Sequence, residues 1–120
     1  PRCKVGIMGI TFKENCPDIR NSKVVDMVRE FESWGMQVVV SDPVADPAEV
    51  QQEYGLTLGP IDAQNPVDVL VVAVGHSQYR ALTPEDLRSL CRGQRPILAD
   101  VKSLYDRHAA AAAGLTVFRL

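Results

Sequence analysis

Residues 68–74 read Asp-Val-Leu-Val-Val-Ala-Val, an apolar run with no polar alternation after its first residue. A strand with one wet face alternates polar and apolar side chains. One without alternation buries both faces, as a central strand of a parallel sheet does. Parallel neighbours are joined by long crossovers, usually helices, so this run predicts helices on either side of a sheet.

The rest of the chain supplies them. Residues 4–10, short, apolar and glycine-punctuated, predict a buried first strand. Over residues 23–34, Val24, Met27, Val28, Phe31 and Trp34 recur at the spacing of one helical face, with charged residues opposite. That stripe predicts a helix with Trp34 in the core, Asn21 or Ser22 capping its start and Gly35 in the left-handed position beyond its end. Residues 36–41 predict a second strand, stopped by Asp42 and Pro43. Asp46, Pro47 and Glu49 have the pattern of a capping box with proline at the first helical position, opening a helix to about Tyr54. Thr83, Pro84 and Asp86 open another, with Leu87, Leu90 and Cys91 inward and Gly93 ending it. Residues 96–101 predict a fourth strand, the alanines before Gly114 a last helix, and residues 115–120 an edge strand. Residues 56–66, with two prolines and a glycine, fit neither period. The predicted fold is α/β: a Rossmann-like three-layer sandwich with a mostly parallel sheet, one domain over residues 1–120.

Composition narrows the function. A net charge of −2 disfavours nucleic acid or an anionic membrane as the main partner. No apolar stretch approaches the roughly 20 residues that span a bilayer. Cys3, Cys16 and Cys91 are scattered and odd in number, which suits a reducing cytosol better than a disulfide scaffold or a metal site. Cys16 beside Pro17 reads as an unreactive small residue. No Ser/His/Asp set, metal-spaced cluster or acid/base carboxylate pair emerges.

Ligands of open α/β sheets bind at the carboxyl ends of the strands. A dinucleotide site of the usual kind needs GxGxxG between first strand and helix. Here only Gly6 and Gly9 stand there, both within the predicted strand, followed by residues 11–22 (TFKENCPDIRNS). Other chemistry-bearing residues follow the strands: Phe12, Lys13 and Arg20 after the first, Asp42 after the second, His76 and Tyr79 after the third, Asp100 and Lys102 after the fourth. Brought to one edge, two lysines and an arginine suit a diphosphate. Glu14, Lys23, Arg80 and Arg107 read as solvated charges, His76 as a loop or structural histidine, and His108 as surface.

Residues 9–22, residues 38–43 (VVVSDP), residues 68–76 and Ala99-Asp100-Val101-Lys102 together resemble the C-terminal UDP-binding domain of the UDP-glucose/GDP-mannose dehydrogenase family. The FKxxxxDxR spacing from Phe12 to Arg20 is the most specific element. The ENCPDIRNS and DVKS wording is most similar to bacterial UDP-N-acetylhexosamine 6-dehydrogenases of surface polysaccharide (Vi-antigen or O-antigen) biosynthesis.

The resemblance implies an NAD-dependent cytoplasmic enzyme that oxidises the sugar C6 alcohol to a carboxylate by two hydride transfers. It implies that the NAD-binding and central segments, with the nucleophilic cysteine, lie outside this chain, which alone is inactive, and that the full-length enzyme is a homo-oligomer. Position by position, it implies UDP-sugar contacts for Phe12, Lys13 and Lys102, an NAD contact for Arg20, and a loop-orienting role for Asp18. Two other readings compete: a stand-alone nucleotide-binding or regulatory module, and a domain serving mainly oligomer contacts.

Overall fold

The computed structural model describes residues 2–118. Five strands form one sheet: β1 Lys4–Met8, β2 Gln37–Ser41, β3 Val69–Val72, β4 Ile97–Asp100 and β5 Thr116–Phe118. Their order is β2-β1-β3-β4-β5, and every neighbouring pair is parallel. The expected parallel sheet is therefore parallel throughout. Between the strands lie α1 Val24–Ser33, α2 Pro47–Tyr54, α3 Ser77–Arg80, α4 Pro84–Ser89 and α5 Arg107–Ala112. Arg119 and Leu120, the end of the expected edge strand, lie outside the described residues.

The unbroken apolar run is explained by two cores. Val71 faces one core with Val5 and Ile7, covered by Val24, Val25 and Val28 of α1 and Val50 of α2. Leu70 and Val72 face the other, with Leu98, Tyr79 of α3, Leu87 of α4 and Ala110 of α5. Successive residues of a strand point to opposite faces, so covering both faces requires apolar residues at every position. Burying each such side chain contributes about 1.5–3 kcal/mol.

Local capping chemistry sets the helix bounds. Asp46 accepts a hydrogen bond from the Ala48 N–H with Pro47 at the first position, and α2 ends at Gly55 in the left-handed region. The reciprocal half of a box from Glu49 is not part of this cap. At α4 the full box forms: Thr83 Oγ1 accepts from the Asp86 N–H, and the Asp86 carboxylate accepts from the Thr83 N–H. Thr83→Ala is expected to cost about 1 kcal/mol, lowering the calorimetric melting temperature by roughly 3–5 °C. An unchanged melting temperature would contradict the cap.

Three expectations need correction. Trp34 is 62% exposed, outside the core. The helix ends at Ser33 and the chain turns through Gly35 into β2, so Trp34 projects past the last packed turn, edge-on to Phe31 with centroids 5.9 Å apart. Gly9 lies beyond β1, not within it, at a φ of +105°. A Cβ there would stand 2.7 Å from the Val74 Cβ, so glycine is needed both for the backbone turn and for the close approach to the segment after β3. At α1, neither candidate caps as a boundary residue, although Ser22 Oγ accepts from the Val24 N–H at 3.3 Å.

Candidate functional site: a lysine-lined cleft at the switch point

After β1 the chain moves outward to β2, then crosses back to β3 on the other side of β1. Such a reversal opens a crevice at the carboxyl ends of the two central strands. A cleft of about 620 Å³ lies there, walled by residues 11–14 after β1, residues 73–75 after β3 and residues 101–102 after β4. The start of α1, from Asn21 to Val24, with Met27 and Arg80, completes the wall.

The chain contains four lysines, Lys4, Lys13, Lys23 and Lys102, and three of them, Lys13, Lys23 and Lys102, line this cleft. All three are exposed, and none makes an ion pair or side-chain hydrogen bond among the described residues. By contrast Arg20, Arg80 and Arg92 are each paired with a carboxylate. A second depression of about 290 Å³, by Met8, Pro43, Tyr79 and Leu90, is lined by no lysine or arginine. Clustered, unpartnered ammonium groups beside a helix start suit a multiply charged anion.

The remaining predicted residues separate into groups. Phe12 lines the cleft and is 62% exposed, available to cover an apolar ring. Arg20 does not line it. Its guanidinium lies at the rim of the loop and engages Asp18 through two bonds of 2.9 and 3.0 Å. That side-chain contact with Arg20 holds the Asp18 carboxyl down to about 2. Asp18 also accepts from the Arg20 N–H, and its own carbonyl accepts from the Phe12 N–H at 2.7 Å, so it does orient the loop.

Asp42, Tyr79 and Asp100, which follow strands as the lysines do, do not face the cleft as ligand groups, and His76 is the structural histidine expected. Asp42 has no exposed side-chain surface. Its carboxylate accepts from the N–H groups of Ile10, Val44 and Ala45 and meets His76 Nε2 at 3.0 Å. Burial pushes this carboxyl up, but the bonds from Ile10, His76, Val44 and Ala45 outweigh it, leaving it below the usual range. Asp100 is 1% exposed and accepts from the N–H groups of Leu104 and Tyr105, closing the turn that presents Lys102. Tyr79 is buried and donates to the Ser41 carbonyl. Short carboxylates beside a turn reach backbone amides before they reach a ligand. Long lysine stems extend past them.

Sequence reasoning missed three cleft residues, Glu14, Lys23 and Arg80, by treating them as solvated charges. Lys23 stands at the start of α1, and Arg80 bridges the Gly75 carbonyl and Glu14, both also on the cleft wall. The signal was positional: Lys23 stands just before the helix that follows β1, and Arg80 ends the short helix that follows β3. The buried cysteine, Cys91, lacks the character of a nucleophile. Burial pushes the Cys91 thiol up to about 11, the reverse of activation. Among the described residues no group of three or more His, Cys, Asp or Glu gathers as a metal site, and no helix is long and apolar enough to cross a membrane.

Comparison with known proteins identifies the family. The model of the UDP-glucose/GDP-mannose dehydrogenase family, UDP binding domain, matches residues 6–107. The chain is 41% identical over 103 residues to UDP-N-acetyl-D-glucosamine 6-dehydrogenase of Pseudomonas aeruginosa, covering 86% of this chain and 24% of that protein. It is 40% identical over 96 residues to the enzyme of the same name from Salmonella typhi, covering 80% of this chain and 22% of the relative. In fold it matches the crystal structure of NDP-N-acetyl-D-galactosaminuronic acid dehydrogenase from Methanosarcina mazei Go1, with a TM-score of 0.86 at 20% identity over 98% of this chain and 24% of that one. The chain thus spans about a quarter of the length of these relatives. With the family model matching most of its length and relatives at 40–41% identity, the chain belongs to the UDP-glucose/GDP-mannose dehydrogenase family, as its UDP-binding domain.

Proposed function

We propose that this chain is the UDP-binding, C-terminal domain of an NAD-dependent UDP-sugar 6-dehydrogenase of bacterial surface-polysaccharide biosynthesis, acting on a UDP-N-acetylhexosamine. One observation carries this reading: three of the four lysines, none in an ion pair or side-chain hydrogen bond among the described residues, line one cleft at the switch point. Lys13, Lys23 and Lys102 hold the diphosphate, and Phe12 covers an apolar face of the nucleotide. Glu14, drawn toward Arg80 at 3.2 Å, is kept from facing the anion unpaired.

NAD, when bound, accepts the hydride removed from C6. This chain's share in holding it is small. The place where a glycine turn would admit a pyrophosphate is filled, since a Cβ on Gly9 would already meet Val74. Arg20, 82% exposed and paired with Asp18, reaches the cofactor held by another segment of the enzyme in this reading. The NAD-binding and nucleophile-bearing segments belong to the remainder of such an enzyme, assembled as a homo-oligomer.

The division of labour has a physical basis. The nucleotide is remote from C6, so its binding energy can hold the sugar in register for hydride transfer without touching the reacting atoms. The test is an NADH-absorbance assay of the enzyme carrying this chain against a panel of UDP-sugars, with UDP and uridine as inhibitors. UDP is expected to inhibit competitively, less so as salt rises, and uridine far more weakly. Equal inhibition by uridine and UDP would remove the lysines from the reading.

A further inference from the structure

We propose that His76 is a positioning residue: a buried neutral imidazole that suspends the Lys13 segment between two anchors and so fixes where Phe12 and Lys13 stand in the cleft. The consequence for ligand binding rests on the nucleotide reading above; the anchoring itself does not.

His76 follows β3 and has no exposed surface. Its Nδ1 accepts the backbone N–H of Asn15 at 3.0 Å. A backbone amide nitrogen can only donate, so Nδ1 is the lone-pair nitrogen and the proton resides on Nε2. Nε2–H then points at Asp42 Oδ2, 3.0 Å away, with Thr11 Oγ1 at 3.2 Å. The Thr11 hydroxyl proton is already given to the Lys13 carbonyl at 2.9 Å, leaving its lone pairs for the imidazole. Both ring nitrogens are committed.

Thr11 and Asn15 flank Lys13 on either side in sequence, and both touch the same ring. Asn15 takes a φ of +58°, a left-handed conformation that asparagine tolerates better than most residues. Its side-chain Oδ1 also accepts from the Ser77 N–H at 2.9 Å, so it is tied to two consecutive residues after β3. Asp42 in turn anchors the ring to the end of β2. One imidazole therefore joins the ends of β2 and β3 to the loop after β1. An apolar residue of similar volume could fill the space, but it could not hold that loop by direction.

Two substitutions split the ring's functions. In His76→Gln the side-chain amide reaches the Nε2 position and can still donate to Asp42, but the acceptor for Asn15 is gone. In His76→Asn the carbonyl oxygen falls near Nδ1 and can accept from Asn15, while the Asp42 contact is lost. The expected result is that His76→Gln speeds amide hydrogen exchange at Asn15 by roughly tenfold or more and raises the UDP-sugar KM about tenfold with kcat little changed. His76→Asn is expected to restore slow exchange and most of the affinity. Equal effects of the two variants on exchange and KM, or an unchanged KM in His76→Gln, overturn the proposal. If neither variant folds, NMR of the imidazole nitrogens in the unsubstituted protein decides: a proton on Nε2 supports it and a proton on Nδ1 overturns it. An enzyme indifferent to UDP would sink the nucleotide reading instead, and leave the exchange and tautomer results to decide the anchoring.

Discussion

Replacing Lys13 and Lys102 together with alanine is expected to raise the KM for the UDP-sugar by roughly 100-fold while leaving kcat within a few-fold of the unsubstituted enzyme. A hydrogen bond to a charged group is worth about 1.5–3 kcal/mol when it is fully desolvated. Both lysines are exposed at the cleft mouth, so the lower end of that range applies, and two such losses come to roughly 3 kcal/mol, or two decades of affinity. The loss falls on KM because the diphosphate is bound alike in the ground and transition states. Lys23→Ala is expected to act in the same direction. Since none of the three ammonium groups makes an ion pair or hydrogen bond among the described residues, the melting temperature is expected to stay within about 2 °C, as is usual for surface substitutions. Steady-state kinetics at two salt concentrations, with calorimetry on the same preparations, checks both halves. A change in KM of only two- or three-fold would remove these lysines from diphosphate binding.

Asp42→Ala is expected to do the reverse and act on stability. The carboxylate satisfies the N–H groups of Ile10, Val44 and Ala45 and the Nε2–H of His76. Its removal leaves donors unpaired around a fully buried side-chain position, each costing about 1–3 kcal/mol where water cannot reach. Some relaxation toward water at the Val44 turn is expected, so the total comes to roughly 3–4 kcal/mol, lowering the melting temperature by about 10–15 °C. The pH dependence has a defined sign. The native Asp42 carboxyl is held below its ordinary value, so its contribution is complete above the unfolded value of about 3.9 and fades as pH falls below that. Urea melts from pH 3 to pH 7 should therefore show the variant losing less stability on acidification than the unsubstituted chain. Parallel curves would contradict the bonding described for this carboxylate.

These two predictions also mark what was legible in the sequence. The capping groups of α2 and α4 could be read directly because their chemistry is local: Asp46 and Thr83 act on amides two or three residues away. The sheet was legible because residues 69–72 must be apolar on both faces at once. The family wording from Phe12 to Arg20 pointed to the edge where the larger cleft lies. What spacing could not give was the direction of each side chain at that edge. Asp42 and Asp100 follow strands just as Lys13 and Lys102 do, yet the acids turn inward onto loop amides and the lysines turn out. That difference depends on side-chain length and on which amides the folded loops leave unpaired, neither of which is written in a strand pattern. Trp34 failed for a related reason: its place on the helical stripe was right, but the helix stopped one residue before it.

The imidazole of His76 shows how the two classes cooperate. Acids and histidine hold the loops from within, and the fixed loops hold the cations at the surface. If the arrangement serves a nucleotide, the bound molecule must lie where the lysines are. Titrating the isotope-labelled protein with UDP and following its amide resonances tests this most directly. The expected result is that the largest shifts fall on residues 12–14, 22–24, 74–75 and 101–102, which wall the larger cleft. Shifts centred instead on Ser41, Gln78 and Leu82, in the depression without lysine or arginine, would contradict it.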